Sequence, residues 1–140
     1  MAELELDIVG GVYPMWRIDH YEWLAMVRQP DGRYKTLPAD KRSGVVECDA
    51  VGAGCMMIKR EVLQAIEAPF KDKVRKDGRR EVGHDYYFCE RARALGYKVH
   101  ANWEVLCEHI KQVPLITIVQ ALKKSYDAGV KDGLDKAKEK

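Results

Sequence analysis

The stretch Gly83–Tyr97 (Gly-His-Asp-Tyr-Tyr-Phe-Cys-Glu-Arg-Ala-Arg-Ala-Leu-Gly-Tyr) constrains this chain more than any other. Phe88, Cys89, Ala92 and Leu95 recur on one face of a 3.6-residue period, and Glu90, Arg91 and Arg93 fall opposite. Asp85 stands where an N-cap belongs, and Gly96 supplies the left-handed residue that ends such helices. Tyr97-Lys-Val-His-Ala then alternates as a strand does. The pattern predicts a helix over 85–95 and a strand over 97–103, with His84 and Asp85 at the mouth of a strand–helix–strand unit. Two roles are open to Asp85. As a cap it satisfies orphan amides of the first turn; as a general base it needs a fixed, partly desolvated carboxylate.

Around this unit the chain alternates between strand and helix periods. Leu4, Leu6 and Ile8 alternate with Glu3, Glu5 and Asp7, which predicts a strand over 4–13 that turns continuously apolar at Val9. Gly10-Gly11 marks a bulge or a close backbone approach; beside Tyr13-Pro14, the same glycines could let a sugar lie against the backbone. Further strands are expected over 21–27, 45–51 and 55–58. Gln29-Pro-Asp-Gly-Arg33 has turn chemistry, so 33–37 should pair back as a hairpin, followed by a polar loop from Pro38 to Gly44. Gly52-Ala-Gly54 lacks the Gly-x-Gly-x-x-Gly spacing of a strand-to-helix nucleotide turn; it suits a kink that brings backbone amides to a cavity floor. Met56 and Met57 have apolar flanks and are expected in the core. A short helix over 60–67 should turn Val62, Leu63 and Ile66 inward and end at Pro69.

Lys71 to Arg80 carries six basic and two acidic residues. Such a run is either a solvated, mobile loop or an electrostatic funnel for a diphosphate, since Arg79 and Arg80 lead directly to His84-Asp85. Val105 to Cys107 reads as a further strand, and His109 follows it. From Pro114 the pattern changes: Leu115, Ile118, Leu122 and Tyr126 mark one helical face, continued by Val130 and Leu134. A helix over 114–128 is expected, packed on the domain or presenting its stripe to a second chain. Gly129 and Gly133 each cost about 1 kcal/mol relative to alanine, so the lysine-rich tail should fray.

These elements add up to an α/β fold, a mixed β-sheet with flanking helices in a single small domain; 140 residues suffice for one ordinary core. A net charge of +2 gives no reason to expect nucleic acid as a partner. No run approaches the eighteen or so apolar residues of a transmembrane helix, and the acidic start is unlike a signal peptide, so the expected location is cytoplasmic. Cys48, Cys55, Cys89 and Cys107 form no Cys-x-x-Cys pair and three lie in apolar runs. Neither a structural zinc site nor a disulfide is expected of them.

The segment Gly83 to Tyr97 resembles the second half of family 2 glycosyltransferases of the GT-A fold. Those often read Gly-Glu-Asp, two residues, Phe-Cys, one residue, Arg-Ala, three residues, Gly-Tyr. Asp7 to Pro14, Asp49 to Arg60 with Glu61-Val-Leu63, and Cys107-Glu-His109 are similar to other family segments, in the same order across 7–112. The resemblance implies a truncated GT-A-like domain over 1–112, with 113–140 as a C-terminal helix and basic tail. His84 stands where the family has Glu, and the nucleotide-binding half with its Asp-x-Asp would lie before Asp7. The activity so implied is inverting sugar transfer from a nucleotide-sugar donor to an acceptor sugar. Asp85 would be the base, and His84 would orient it or share the proton. Tyr13, Gly52 and Gly54 would border the sugar and acceptor, and His109 would face the leaving diphosphate, whose charge only the basic run with Arg79 and Arg80 is placed to neutralise. His109 and Asp85 would share a divalent metal, manganese or magnesium. The alternative is a non-catalytic sugar-binding or partner module that needs a second chain, or a homo-oligomer formed through the C-terminal helix.

Overall fold

The structure, a computed structural model, describes residues 5–17, 20–110 and 112–138, with only the helical backbone described beyond residue 129. Strands are β1 (Ile8–Val12), β2 (Pro14–Trp16), β3 (Tyr21–Trp23), β4 (Ala25–Arg28), β5 (Tyr34–Thr36), β6 (Val45–Cys48), β7 (Ala50–Val51), β8 (Met56–Ile58), β9 (Lys73–Val74), β10 (Arg80–Val82) and β11 (Val99–Leu106). Helices are α1 (Arg60–Ala65), α2 (His84–Ala94) and α3 (Leu115–Lys138), with 3-10 turns at Ala39–Lys41 and Ala53–Cys55. The chain forms two compact units, Met1–Pro14 with Trp23–Glu108, and Met15–Glu22 with His109–Lys140. The fold is the mixed α/β arrangement expected from the sequence.

In the first unit a four-stranded sheet runs β6-β11-β1-β8. β1 is parallel to β11 and antiparallel to β8, and β11 is antiparallel to β6. Strand β1 is buried along its whole length, as expected of a continuously apolar strand inside a sheet. The Gly10-Gly11 signal resolves into both of its structural meanings. The register against β11 slips between Gly11 and Val12, and a Cβ on Gly10 would lie 2.7 Å from that of Val51.

A second sheet, β5-β4-β7, is antiparallel and contains the expected hairpin. Its turn places Gly32 at φ 82 and bonds Gly32 N–H to the Gln29 carbonyl at 2.9 Å, the use that Pro-Asp-Gly chemistry predicts. Two expected strands are broken. Segment 21–27 divides at Leu24, whose N–H donates to the Tyr13 carbonyl, and 45–51 divides at Asp49, whose N–H donates to Met26. At Asp49 the chain leaves the four-stranded sheet for the three-stranded one. Its carboxylate pins that corner, accepting from Arg28 N–H at 2.6 Å and pairing with Arg93 at 2.5 Å.

Helix α2 buries Phe88, Cys89 and Ala92, and the Cys89 thiol meets the Val51 backbone on β7. The helix ends as Gly96 predicts: Gly96 N–H bonds to Arg93 and Tyr97 N–H to Ala92, with Gly96 at φ 91. On its polar face Glu90 accepts the Tyr34 hydroxyl at 2.9 Å and pairs with Arg28 at 3.4 Å and Lys73 at 3.7 Å. Other expectations need correction. The basic run is a hairpin of β9 and β10, because Asp77 accepts the Arg79 N–H and Gly78, at φ 78, closes the turn. Segments 97–103 and 105–107 form one strand, Val99–Leu106. Met57 is 41% exposed, because β8 is an edge strand with one face open. Leu4, at the start of the expected first strand, lies outside the described residues.

In the second unit α3 runs through Gly129 to Lys138, ten residues past the expected end. Its stripe is exposed: Leu115, Leu122 and Tyr126 are 75%, 66% and 72% exposed. The side chains of Val130 and Leu134 lie outside the described residues. A groove of about 480 Å³ separates Trp16, His20 and Tyr21 from the flank of α3 at Ile118, Ala121 and Leu122. Among the described residues no helix is long and apolar enough to cross a membrane.

Candidate functional site around Tyr13

Strand β1 ends at Val12 and delivers the next residue, Tyr13, into the interior of the first unit, where it is buried. The phenol is held by two glycines. A Cβ on Gly52 would lie 2.2 Å from Tyr13 Oη, and one on Gly54 would lie 2.8 Å from Cζ. Gly52 has φ −74 and ψ 145, which any residue adopts, so what requires glycine is space and not backbone freedom. The Gly54 N–H then donates to Tyr13 Oη at 2.9 Å. The amide expected to face a cavity floor is thus engaged by the tyrosine. Burial pushes the phenol pKa up, the Gly54 amide lowers it in part, and the Asp85 carboxylate raises it further. Tyr13 therefore stays protonated at neutral pH.

Asp85 reaches this neighbourhood from α2. The helix begins at His84 with Gly83 as its N-cap, so Asp85 is the second helical residue and not the cap. It still satisfies one first-turn amide, as its Oδ1 accepts the Tyr86 N–H at 2.9 Å. The carboxylate is half-buried in the first turn of α2. The Asp85 charge is felt by Tyr13 and by Cys89. Tyr13, Gly52 and Gly54 thus meet in contact, with Asp85, from a third stretch of sequence, in electrostatic reach of the phenol.

Two residues that the sequence did not single out complete the surroundings. Cys55 closes the 3-10 turn that carries Gly54, and its Sγ fills the space a Cβ on Gly11 would need, 2.9 Å away. Cys107 follows β11 and donates its N–H to the Val12 carbonyl at 2.9 Å, and the neighbouring Cys55 thiol pushes its pKa up. Both thiols also bear on Tyr13 electrostatically. The available signal was Gly-Ala-Gly-Cys, a cysteine one residue beyond a glycine pair whose ring partner is invisible in one dimension.

The ion pairs and strand pairing of His84, Arg79 and Arg80 involve other residues. His84 turns to Asp72, with Nδ1 3.8 Å from a carboxylate oxygen. Arg79 is 82% exposed and pairs with Asp77 of its own turn, and Arg80 is exposed on β10 opposite Val74. His109 belongs to the second unit and is exposed. Among the described residues no three His, Cys, Asp or Glu side chains come together as a metal site. A hard divalent ion takes six or more oxygens, so the described side chains do not by themselves form a resident metal centre.

No family model matches the chain, and no curated protein matches it. Among solved structures it is similar to one described as the crystal structure of A197 from STIV, at 18% identity and a TM-score of 0.42. The similarity covers 81% of this chain and spans 58% of that protein's length. A likeness of that degree carries no argument about function.

Proposed function

We propose that this chain is a glycosyltransferase-like protein in which Asp85 takes the proton from an acceptor sugar hydroxyl as that oxygen attacks a nucleotide-sugar donor. The observation that carries the reading is the meeting of Tyr13, Gly52, Gly54 and Asp85, which lie on three separate stretches of sequence. In the proposed step a bond forms between the acceptor oxygen and the anomeric carbon while the bond to the diphosphate breaks, inverting that carbon. As base, Asp85 would be held in place by the first turn of α2, its Oδ1 bonded to the Tyr86 N–H. Tyr13, kept protonated, shapes the sugar side of the site and does not exchange a proton. Arg79 and Arg80, exposed on the β9–β10 hairpin, are the candidate partners of the leaving diphosphate, and His84 a candidate second proton carrier. A manganese or magnesium ion entering with the diphosphate would supply charge neutralisation, with Asp85 a candidate donor from this unit.

The test is a chemical-shift titration with uridine and guanosine diphosphate sugars, with and without magnesium, on the wild type and Asp85→Asn. Amide shifts at Gly52 and Gly54 with a dissociation constant near 1 mM, about 4 kcal/mol, are expected, together with slow release of nucleoside diphosphate that Asp85→Asn abolishes. Undisturbed spectra at several millimolar donor would refute the donor site. Shifts with free sugars alone would leave an acceptor-binding module.

A second reading has its own observation. The exposed stripe of Leu115, Val119, Leu122 and Tyr126 lies on one face of α3, and apolar stripes of this kind are ordinarily covered. We propose a second copy of this chain as the cover, two α3 helices meeting through the same face.

A further inference from the structure

We propose that Cys55 and Cys107 form a redox-active thiol pair, which a small-molecule disulfide converts into an internal disulfide that locks the frame around Tyr13. The two residues are fifty-odd positions apart in sequence, yet each is fixed against the end of β1. Cys55 lies flush on Gly11, where a Cβ would come within 2.9 Å of its sulfur, and Cys107 is tied to Val12 by its N–H at 2.9 Å. The same point on Gly11 lies 3.0 Å from the Val105 carbonyl, two residues before Cys107, so both cysteines converge on one end of β1, and both side chains are partly exposed. Cysteines brought together in this way need little backbone movement to close, which is the usual obstacle to forming a disulfide.

The other two cysteines provide an internal contrast. Cys48 and Cys89 are also neighbours, but both are buried, and burial pushes each thiol up to about 12. The thiolate is the attacking species, so that pair is kept from exchange. At the exposed pair, one cysteine thiolate attacks oxidised glutathione, giving a mixed disulfide and one glutathione thiolate. The second cysteine thiolate attacks the protein sulfur of that mixed disulfide and expels the second glutathione. Two protein thiols are oxidised, the reagent's disulfide is reduced to two thiols, and the protons from the cysteines pass to the departing thiolates. The bridge would join the turn carrying Gly54 to the residue after β11, beside the phenol that both thiols already influence. Transient bridges of this sort are the form disulfides take in reducing compartments.

Closure of this pair does not depend on the proposed sugar chemistry, and its test reads sulfur directly. Folded protein is incubated with oxidised glutathione, quenched with acid, alkylated and mapped by mass spectrometry. A loss of about 2 Da, a Cys55–Cys107 peptide and alkylation of Cys48 and Cys89 are expected, with a melting temperature raised by closing the loop. Cys55→Ser and Cys107→Ser should each stop at a single glutathione adduct. Four unreacted thiols, separate stable adducts on Cys55 and Cys107, or a bridge that includes Cys48 or Cys89 would each overturn the proposal. Because the mapping is done on the wild type, its outcome stands even where a serine variant fails to fold.

Discussion

Replacing Gly52 by alanine tests whether the missing Cβ is what lets Tyr13 sit where it does. The backbone at Gly52, φ −74 and ψ 145, suits alanine, and through the unfolded chain alone the change would stabilise by about 0.4–1 kcal/mol. Against this, the new carbon lies 2.2 Å from Oη and 2.8 Å from Cζ, where contact distance is about 3.5 Å or more. The Leu24 Cδ1 at 2.9 Å is the end of a flexible side chain and gives way; the ring, bonded to Gly54 N–H, cannot move without losing that bond. Overpacking at about 1–3 kcal/mol and the lost hydrogen bond at about 1 kcal/mol leave a net destabilisation of about 2 kcal/mol. Removing the ring removes the clash. Tyr13→Ala should cost about 3 kcal/mol or more by opening a cavity, yet in that background Gly52→Ala should be neutral or slightly stabilising. Urea unfolding of the four proteins then gives a coupling of about 2 kcal/mol. Tyr13→Phe should relieve little, since Cζ remains at 2.8 Å. Additivity of the two alanine changes within about 0.5 kcal/mol would refute the packing argument.

Two further outcomes follow from groups outside this cluster. Asp7 accepts the Lys98 N–H at 3.1 Å and the Lys59 ammonium at 3.3 Å, and the Lys98 amide is the largest cause of its lowered pKa. A lowered folded-state pKa means stability that is present above the ordinary aspartate value of about 4 and lost as pH falls through the folded value; Asp7→Asn should cost about 1 kcal/mol at pH 7 and flatten the acid limb of a denaturation-against-pH curve. At 66% exposure Leu122 should tolerate alanine with under about 1 kcal/mol of stability lost, while Leu122→Asp should shift the protein to monomer in sedimentation velocity if α3 pairs with a second copy.

What the sequence could tell followed the range of the forces involved. Helix α2 was legible to within one residue at each end because periodicity and the Gly96 stop are local signals. The Pro-Asp-Gly hairpin was legible for the same reason. The breaks at Leu24 and Asp49 were not, since an apolar run continues through the first and alternation through the second; at each break an N–H bonds to a distant carbonyl, Tyr13 or Met26. Lys71–Arg80 looked like a loop because its charge outweighed a short Asp-Gly turn signal. In the site, Asp85 and the glycine pair could be picked out, but their function for one another could not. Only the folded chain puts a tyrosine ring where two Cβ atoms would have been.

The segment Val51–Cys55 explains why these parts should respond together. Val51 fills the space over Gly10 on β1 and meets the Cys89 thiol of α2 through its backbone. The next residue, Gly52, is moulded to Tyr13, Gly54 bonds its hydroxyl, and Cys55 packs on Gly11 and holds Cys107. Four of these five residues therefore bear on the end of β1, the helix that carries Asp85 and the residue after β11. On its opposite side α2 is tied to β4, β5 and β9 through Glu90, and to the Asp49 corner through Arg93. A helix held from both sides cannot turn its first-turn carboxylate independently of the segment it packs on. Close-packed interiors transmit displacement instead of absorbing it. A change that shifts residues 51–55, whether a Cβ at Gly52 or a bond at Cys55, should thus be felt at Asp85 without touching it.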